Sequence, residues 1–241
     1  MLSDADPHRD RWIEYEEGAV ERARERNALV QSVTTLANKA VLDVGCQNGA
    51  WLVALGQAGA NPTGIDVIPE AVQAARIRAT AYGLRARTQL ASACEMPFRT
   101  GEFDIVASSD VLEHVPDKVA MLHECVRVLR PGGVLFLRAP IRFGLKNFAK
   151  DPHYGHPGIS VFSGGLAARM ATKLYGEASY DVETLPTKVW TVRKLRSFGM
   201  TIVELDRQFA GRSLPVPDRW NSLLDELRQS FTLVATKTMS R

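Results

Sequence analysis

A short apolar run that ends in a turn bracketed by glycines constrains this chain more than any other feature. Residues 41–44 read Val-Leu-Asp-Val, a pattern typical of a buried parallel strand, and Gly45 and Gly49 enclose the turn that follows. The next apolar positions have helical spacing and predict a helix: Trp51, Leu52 and Leu55. A strand, a tight turn and a helix in this order are typical of an open α/β sheet, where ligands bind beside the carboxyl ends of the strands. We therefore expect a ligand site at this turn.

The residues of the turn argue against a phosphate-binding loop. Gln47 occupies the middle position, where a dinucleotide fingerprint needs a third glycine, and no Walker lysine follows. Asp43 instead places a carboxylate near the turn. A second carboxylate, Asp66, ends the next apolar strand at residues 63–66, where it is placed to accept both hydroxyls of a ribose. The pattern predicts a nucleoside ligand that carries a cationic group.

Residues 41–49 resemble the first motif of class I S-adenosylmethionine-dependent methyltransferases, an acidic residue followed by Gly-x-Gly-x-Gly, with Gln47 in place of the middle glycine. Three later segments are similar to the same family: Asp66 at its ribose position, residues 103–106 as its fourth strand, and residues 129–133 before its fifth. The resemblance covers roughly residues 38–140. It implies S-adenosyl-L-methionine as the cofactor.

The same resemblance implies which residues contact the cofactor. Ser92 stands where the family usually has an acidic residue beside the adenine, and the backbone amide of Ala93 occupies the next adenine position. The complete implied set is Asp43, Gly45, Gln47, Gly49, Asp66, Val67, Ser92, Ala93 and Ser109.

The stretch after the fourth strand points to the acceptor. The Pro-Pro-Tyr signature of enzymes that methylate DNA bases or glutamine is absent there. Residues 109–115 are instead similar to the small-molecule, type 11-like branch, which includes enzymes acting on quinones, sterols and sugars. His114 is a candidate general base, although a histidine that caps the next helix is the structural alternative. Asp110 and Arg138 are candidate substrate contacts, since each lies near the end of a predicted strand.

Two further histidines lie in a turn rich in proline and glycine at residues 151–158. His153 and His156 flank Tyr154, and we treat both histidines as catalytic candidates. Tyr154 and the N-terminal Tyr15 are candidate substrate contacts. Two histidines without a third nearby ligand do not make a zinc site, so no metal is predicted.

The predicted fold class is α/β. The resemblance implies a Rossmann-like, doubly wound sheet of seven strands, six parallel and the last antiparallel, with N-terminal helices and a helical cap after strand five. The expected boundaries are 1–36 for an N-terminal helical lid, 37–140 for the cofactor-binding core, 141–186 for the cap and 187–241 for the C-terminal part of the core sheet. The helix after Asp117 is expected to turn one face inward: Val119, Leu122, Val126 and Leu129. The helix at 187–198 is expected to do the same with Val189, Val192 and Leu195.

Composition limits the remaining possibilities. The chain has 241 residues, of which 45% are hydrophobic and 24% charged, as in ordinary globular proteins. No apolar stretch is long enough to span a bilayer, and the N-terminus lacks a secretory signal, so we expect a cytoplasmic protein without membrane insertion. A net charge of +3 gives no reason to expect nucleic acid as a partner.

The local distribution of charge does not decide whether the acceptor is anionic. Between Arg138 and Arg196 there are ten Lys or Arg residues against four Asp or Glu residues. This excess fits either a solvated basic face or an anionic small-molecule acceptor. The expected activity is methyl transfer to a hydroxyl or amine of a sugar, a glycan precursor or a secondary metabolite. The alternatives are a methyltransferase acting on RNA or protein and a non-catalytic cofactor-binding regulator, and the oligomeric state stays open.

Overall fold

Two compact units make up the chain, Met1–Ala91 and Ser92–Arg241. The structure, a computed structural model, describes residues 18–142, 145–149, 155–162, 164–176, 182–204 and 230–238. Each unit contains strands of the sheet together with the helices that pack on them.

The first unit alternates helices and strands. Its elements are α1 (Ala19–Gln31), β1 (Ala40–Val44), α2 (Ala50–Gln57), β2 (Asn61–Asp66), α3 (Pro69–Ala81) and β3 (Arg87–Leu90). β1 pairs with β2 and β2 pairs with β3, both in parallel, so β2 is the central strand of this unit. Because the strands are parallel, their carboxyl ends lie at one edge of the sheet.

Local sequence explains where α3 begins and how β2 packs. Pro69 occupies the first turn of α3, where a missing backbone N–H costs nothing. Gly64 in β2 lies against Cys46 and Leu52, and a Cβ at Gly64 would come within 2.8 Å of side-chain atoms of both. The β1–α2 turn therefore packs directly on the backbone of β2.

A buried asparagine fixes α1 onto α2. The Asn27 Nδ2 donates to the Ala54 carbonyl at 2.8 Å, and its Oδ1 accepts from the Trp51 Nε1 at 2.9 Å. Both Asn27 and Trp51 are buried. The described part of the predicted lid is thus fixed to α2, within the first unit, by polar contacts that its hydrophobic pattern does not reveal.

Four strands and several helices lie among the described residues of the second unit. Its elements are β4 (Phe103–Ser109), α4 (Lys118–Val128), β5 (Leu129–Pro140), α5 (Leu145–Ala149), a 3₁₀ helix (Ile159–Val161), α6 (Gly164–Tyr175), α7 (Lys188–Ser197), β6 (Met200–Glu204) and β7 (Ser230–Lys237). β4 pairs with β5 in parallel, whereas β7 lies antiparallel between β5 and β6. The seven strands, six parallel and one antiparallel, confirm the predicted α/β fold class.

Two helix faces differ from the expectation. Val119 and Val189 were expected to point inward, but each is 38% exposed. α4 instead buries Met121 and Cys125, and α7 buries Thr191. Both valines lie beside the buried face of their helix rather than within it. Leu129, expected at the end of the helix, is buried as the first residue of β5.

The described residues of the predicted cap include three helices, the short α5, the 3₁₀ helix and α6. The 3₁₀ helix and α6 share a small apolar cluster built from Ile159, Ala167 and Ala171, with Phe162 and Tyr175 against it. The Arg142 guanidinium donates to the Val161 carbonyl, which ties this cluster to the end of β5. No helix among the described residues is long and apolar enough to cross a membrane.

Candidate functional site

The turn between β1 and α2 is held by backbone hydrogen bonds to β2. The N–H groups of Gly45 and Cys46 both donate to the Ile65 carbonyl, at 2.8 and 2.9 Å. The Gly49 N–H donates to the Cys46 carbonyl at 2.8 Å and closes the turn. Three of the predicted cofactor residues, Gly45, Gln47 and Gly49, therefore lie on one rigid loop beside the carboxyl end of β2.

Gly49 is required by close packing as well as by backbone conformation. Its φ is +78°, in the left-handed region that other residues rarely adopt. A Cβ at this position would lie 2.7 Å from the Ala75 Cα. The glycine thus lets α2 begin directly against α3.

Gln47 takes the backbone conformation that its family-equivalent glycine would favour. Its φ is +43°, and its side chain is exposed. The Gln47 N–H donates to the Asp66 Oδ2 at 2.9 Å. The side chain therefore does not fill the interior of the turn, and a charge-assisted hydrogen bond offsets part of the strain.

Asp66 joins the glycine turn to the start of α3. Its Oδ2 accepts from the Gln47 N–H, and its Oδ1 accepts from the Ile68 N–H at 3.0 Å. An ionised carboxylate offers about four acceptor positions, so each oxygen can still accept one more hydrogen bond. This remaining capacity fits the two hydroxyls of a ribose.

Asp43, like Asp66, is a buried carboxylate of the first unit. Burial raises the pKa of Asp43 to about 7, the Arg26 cation opposes that rise, and the Asp66 charge adds to it. The Arg26 guanidinium lies 5.4 Å from the centre of the Trp51 ring. A cationic ligand near Asp43 would favour its ionised form, so the predicted sulfonium cofactor suits this position.

Exposed apolar side chains follow the ends of β2 and β3. Val67 is 64% exposed, and Ile68 and Leu90 are also exposed. The sheet register aligns Leu90 with Asp66. The first unit therefore places an apolar surface next to the proposed ribose carboxylate, as an adenine ring would require.

In the second unit, the segment predicted to contact adenine forms a tight turn. The Ser92 Oγ accepts from the Cys94 N–H at 3.1 Å, so this hydroxyl already supports its own backbone. Ser92 is exposed, whereas Ala93 is buried. Their contact with the cofactor stays a prediction.

Three predicted residues meet at the ends of β4 and β5. The Ser109 Oγ donates to the Asp110 Oδ2 at 2.9 Å, and the same oxygen accepts from the Arg138 Nη1. Asp110 has a φ of +58°, and its N–H donates to the Arg138 carbonyl at 2.9 Å. The structure thus brings Ser109, Asp110 and Arg138 into one half-exposed polar cluster.

His114 lies beside a buried glutamate that the sequence reading did not single out. The His114 Nε2 is 3.8 Å from the Glu113 Oε1, and Glu113 is fully buried while His114 is 30% exposed. The Glu113 carbonyl also accepts from the Glu183 N–H at 3.0 Å, which joins the end of the cap to this loop. In the sequence, this pair is visible as a Glu-His dipeptide between a predicted strand and a predicted helix.

The histidines of the cap are only partly described. Tyr15, His153 and Tyr154 lie outside the described residues. The His156 ring stacks on Tyr175 at 4.2 Å with an interplanar angle of 8°. The Tyr175 hydroxyl donates to the Pro157 carbonyl at 3.1 Å, so His156 belongs to a packed corner of the cap. The described residues contain no group of three His, Cys, Asp or Glu side chains that could hold a metal ion.

Comparison with known proteins identifies the domain that contains the glycine turn. Residues 42–137 match the family model described as a methyltransferase domain. This segment is a class I S-adenosylmethionine-dependent methyltransferase domain. The predicted cofactor, S-adenosyl-L-methionine, is confirmed at the level of this domain class.

Curated relatives share part of the chain. A ubiquinone biosynthesis O-methyltransferase from Xanthomonas oryzae pv. oryzae is 39% identical over 115 residues, which cover 46% of this chain and 48% of the relative. A protein of the same name from Pseudomonas aeruginosa is 36% identical over 140 residues, covering 56% of this chain and 52% of the relative. This chain therefore matches about half the length of these relatives.

Solved structures extend the similarity of the methyltransferase fold beyond the matched domain. The crystal structure of an S-adenosylmethionine-dependent methyltransferase from Mesorhizobium loti covers 90% of this chain and is itself covered completely, with a TM-score of 0.63. Its sequence identity is 18%, so it shows the fold alone.

Proposed function

We propose that this chain transfers the methyl group of S-adenosyl-L-methionine to a hydroxyl oxygen of a small-molecule acceptor. The observation that best supports cofactor binding is the bonding of Asp66. Its two carboxylate oxygens accept hydrogen bonds from the glycine turn and from the start of α3, and each oxygen can still accept one more. The oxygen acceptor is supported by the names of the relatives, which are O-methyltransferases. Those names argue against a sugar or glycan precursor, which the sequence led us to expect as the acceptor.

The chain's own residues account for binding and alignment. When bound, the cofactor supplies an electrophilic methyl group on a cationic sulfur, which becomes a neutral thioether after transfer. Asp66 would hold the ribose, and Asp43 would balance the positive charge. Aligning the acceptor oxygen with the methyl and excluding water can contribute roughly 7 to 11 kcal/mol. Geometry is therefore the larger part of this catalysis.

His114 is our proposed general base for the acceptor hydroxyl. With the cofactor bound, the His114 imidazole would accept the hydroxyl proton as the acceptor oxygen bonds to the methyl carbon and the carbon–sulfur bond breaks. A positioned base contributes about 10²- to 10⁴-fold. The cap residues His153 and His156 remain alternative candidates, and the stacking of His156 on Tyr175 gives that residue a structural role as well.

Asp110 and Arg138 are our proposed acceptor contacts, together with Tyr15 and Tyr154. Because Asp110 and Arg138 pair with each other, their cluster carries no net charge. The pair would recognise a polar group of the acceptor by hydrogen bonding more readily than it would attract an anion. We also retain the boundaries 1–36, 37–140, 141–186 and 187–241 as the proposed division into lid, core, cap and C-terminal part.

Calorimetry with S-adenosylhomocysteine tests the cofactor site. Asp66→Ala should weaken binding by about 1 to 3 kcal/mol, because two hydroxyl hydrogen bonds and the support of the turn are lost. The matched control is Asp104→Ala, which removes a carboxylate that pairs with Arg130 near the other end of β4. Equal affinities for both variants would remove Asp66 from the site.

Methyl transfer itself is tested with radiolabelled cofactor and a panel of phenols, aliphatic alcohols and amines. Label in a hydroxyl compound supports the proposal, and label only in amines contradicts it. On the acceptor found, His114→Ala should lower turnover at least 10²-fold with cofactor affinity unchanged. A loss below about threefold would show that His114 is not the base.

A further inference from the structure

Helix α6 in the cap reverses the usual distribution of side chains. Its buried positions are small, Ala167 and Ala171, and they pack on Ile159 of the 3₁₀ helix. Its two leucines instead face water, since Leu166 is 48% and Leu174 is 67% exposed. A helix that served only to complete the cap would bury its leucines.

The exposed apolar residues of α6 form a continuous stripe. Leu166, Met170 and Leu174 are four residues apart, so their side chains follow one another along one side of the helix. Met170 is half-buried and links the two exposed leucines. Three large apolar side chains on one stripe mark an interaction surface better than the single exposed residues found on most helices.

The charges beside this stripe are all positive. Arg169 and Lys173 each precede a stripe residue and lie three positions after another, so both cations border the stripe. Both are exposed, and residues 164–175 contain no Asp or Glu. An apolar stripe bordered by cations complements a surface that combines an apolar interior with negative head groups.

We propose that α6 adsorbs to an anionic membrane surface, with Leu166, Met170 and Leu174 entering the interface and Arg169 and Lys173 at the head groups. The helix lies in the plane of the surface and does not cross it, in agreement with the lack of a spanning helix among the described residues. This surface goes beyond the proposed methyl transfer and does not depend on it. Adsorption would present the cap to acceptors that reside in or near a membrane.

Sedimentation with lipid vesicles tests this proposal on the full chain. Vesicles of phosphatidylcholine with phosphatidylglycerol should bind the protein at low salt, and vesicles of phosphatidylcholine alone should bind it much more weakly. Arg169→Gln with Lys173→Gln should weaken binding to the anionic vesicles about thirtyfold, roughly fivefold for each cation. Raising the salt concentration should have a similar effect.

Replacing the apolar stripe distinguishes vesicle binding through this surface from the nonspecific attraction of a basic protein to anionic lipid. Leu166→Ser with Leu174→Ser should lose at least tenfold in vesicle affinity while thermal stability stays near the parent value, since both side chains are exposed. The matched control is Ile77→Ser on α3, because Ile77 is 62% exposed and flanked by Arg76 and Arg78. That variant should bind vesicles like the parent.

Three results would overturn the proposal. The parent protein fails to bind anionic vesicles at low salt, the leucine variant binds as well as the parent, or Ile77→Ser loses as much affinity as the leucine variant. Sedimentation equilibrium without lipid measures whether the stripe instead mediates self-association. If the parent forms a dimer that the leucine variant loses, and neither binds vesicles, the stripe is a contact between copies of this chain. Calorimetry with S-adenosylhomocysteine is independent of all these outcomes.

Discussion

Gln47 shows how a side chain can occupy a turn position that favours glycine. A residue other than glycine in the left-handed region costs on the order of 1 kcal/mol. Its N–H to Asp66 hydrogen bond holds the backbone in that conformation, while the side chain stays exposed. The sequence revealed the missing glycine but not this outcome, because the compensating partner lies 19 residues away in the chain.

Asp43 should make the stability of the protein depend on pH. Burial raises its pKa from an ordinary value of 3.8 to about 7, so the folded state binds a proton more tightly than the unfolded state. This contribution to stability is complete below about pH 4 and is lost as the pH rises through about 7. The free energy of unfolding should therefore fall between pH 5 and pH 8 by an amount on the order of a few kcal/mol.

The variant Asp43→Asn isolates this effect, since an amide does not titrate. Urea unfolding of the parent and of Asp43→Asn at pH 5 and pH 8 gives the comparison, and the parent should lose more stability than the variant. Asp104→Asn, a change at a more exposed carboxylate, should keep the pH dependence of the parent. An equal pH dependence in parent and Asp43→Asn would show that Asp43 is ionised throughout this range.

At the scale of elements, the attachment of α1 rests on one buried side chain. Asn27→Ala removes the hydrogen bonds to the Trp51 Nε1 and to the Ala54 carbonyl, both within a buried contact. We expect a loss of about 2 to 4 kcal/mol in the free energy of unfolding. Urea denaturation followed by far-ultraviolet circular dichroism measures it.

Arg24→Ala provides the control on the same helix. Arg24 also reaches α2, through the Gln57 Oε1 at 2.9 Å, but it lies at the surface and pairs with Glu21. Exposed pairs of this kind contribute up to about 1 kcal/mol. If the two substitutions cost the same, the buried asparagine is not what fixes α1.

The helices also show which structural features sequence patterns could predict and which they could not. The existence of α2, α3 and α4 was predictable from spacing, Pro69 and Asp117, since those signals are local. The inward faces of α4 and α7 were only partly predictable, because Val119 and Val189 satisfy the helical pattern yet lie beside the face that tertiary packing buries. Neither Asn27 nor Glu113 carries an apolar signal, so their burial depends on tertiary partners that spacing does not reveal.

At the scale of the molecule, the order of motifs predicted the fold and the cofactor. β1, β2 and β4 each carry a polar residue at or next to the carboxyl end, Asp43, Asp66 and Ser109, where a doubly wound sheet binds its ligand. The acceptor was less predictable because its proposed contacts are side chains such as Arg138, whose pairing with Asp110 neutralises one of the ten cations counted in residues 138–196.

Cofactor binding should stabilise the chain as a whole. A ligand that binds only the folded state adds about 2.7 kcal/mol when its concentration is one hundred times Kd. Urea unfolding with increasing S-adenosylhomocysteine should thus show a midpoint that rises with the logarithm of ligand concentration above Kd. The unfolding midpoint of Asp104→Ala should rise with ligand concentration as that of the parent does. Asp66→Ala should need about tenfold more ligand for the same increase in midpoint. If saturating ligand leaves the parent's midpoint unchanged, the chain does not bind this nucleoside in its folded state, and the role assigned to Asp66 and the glycine turn is wrong.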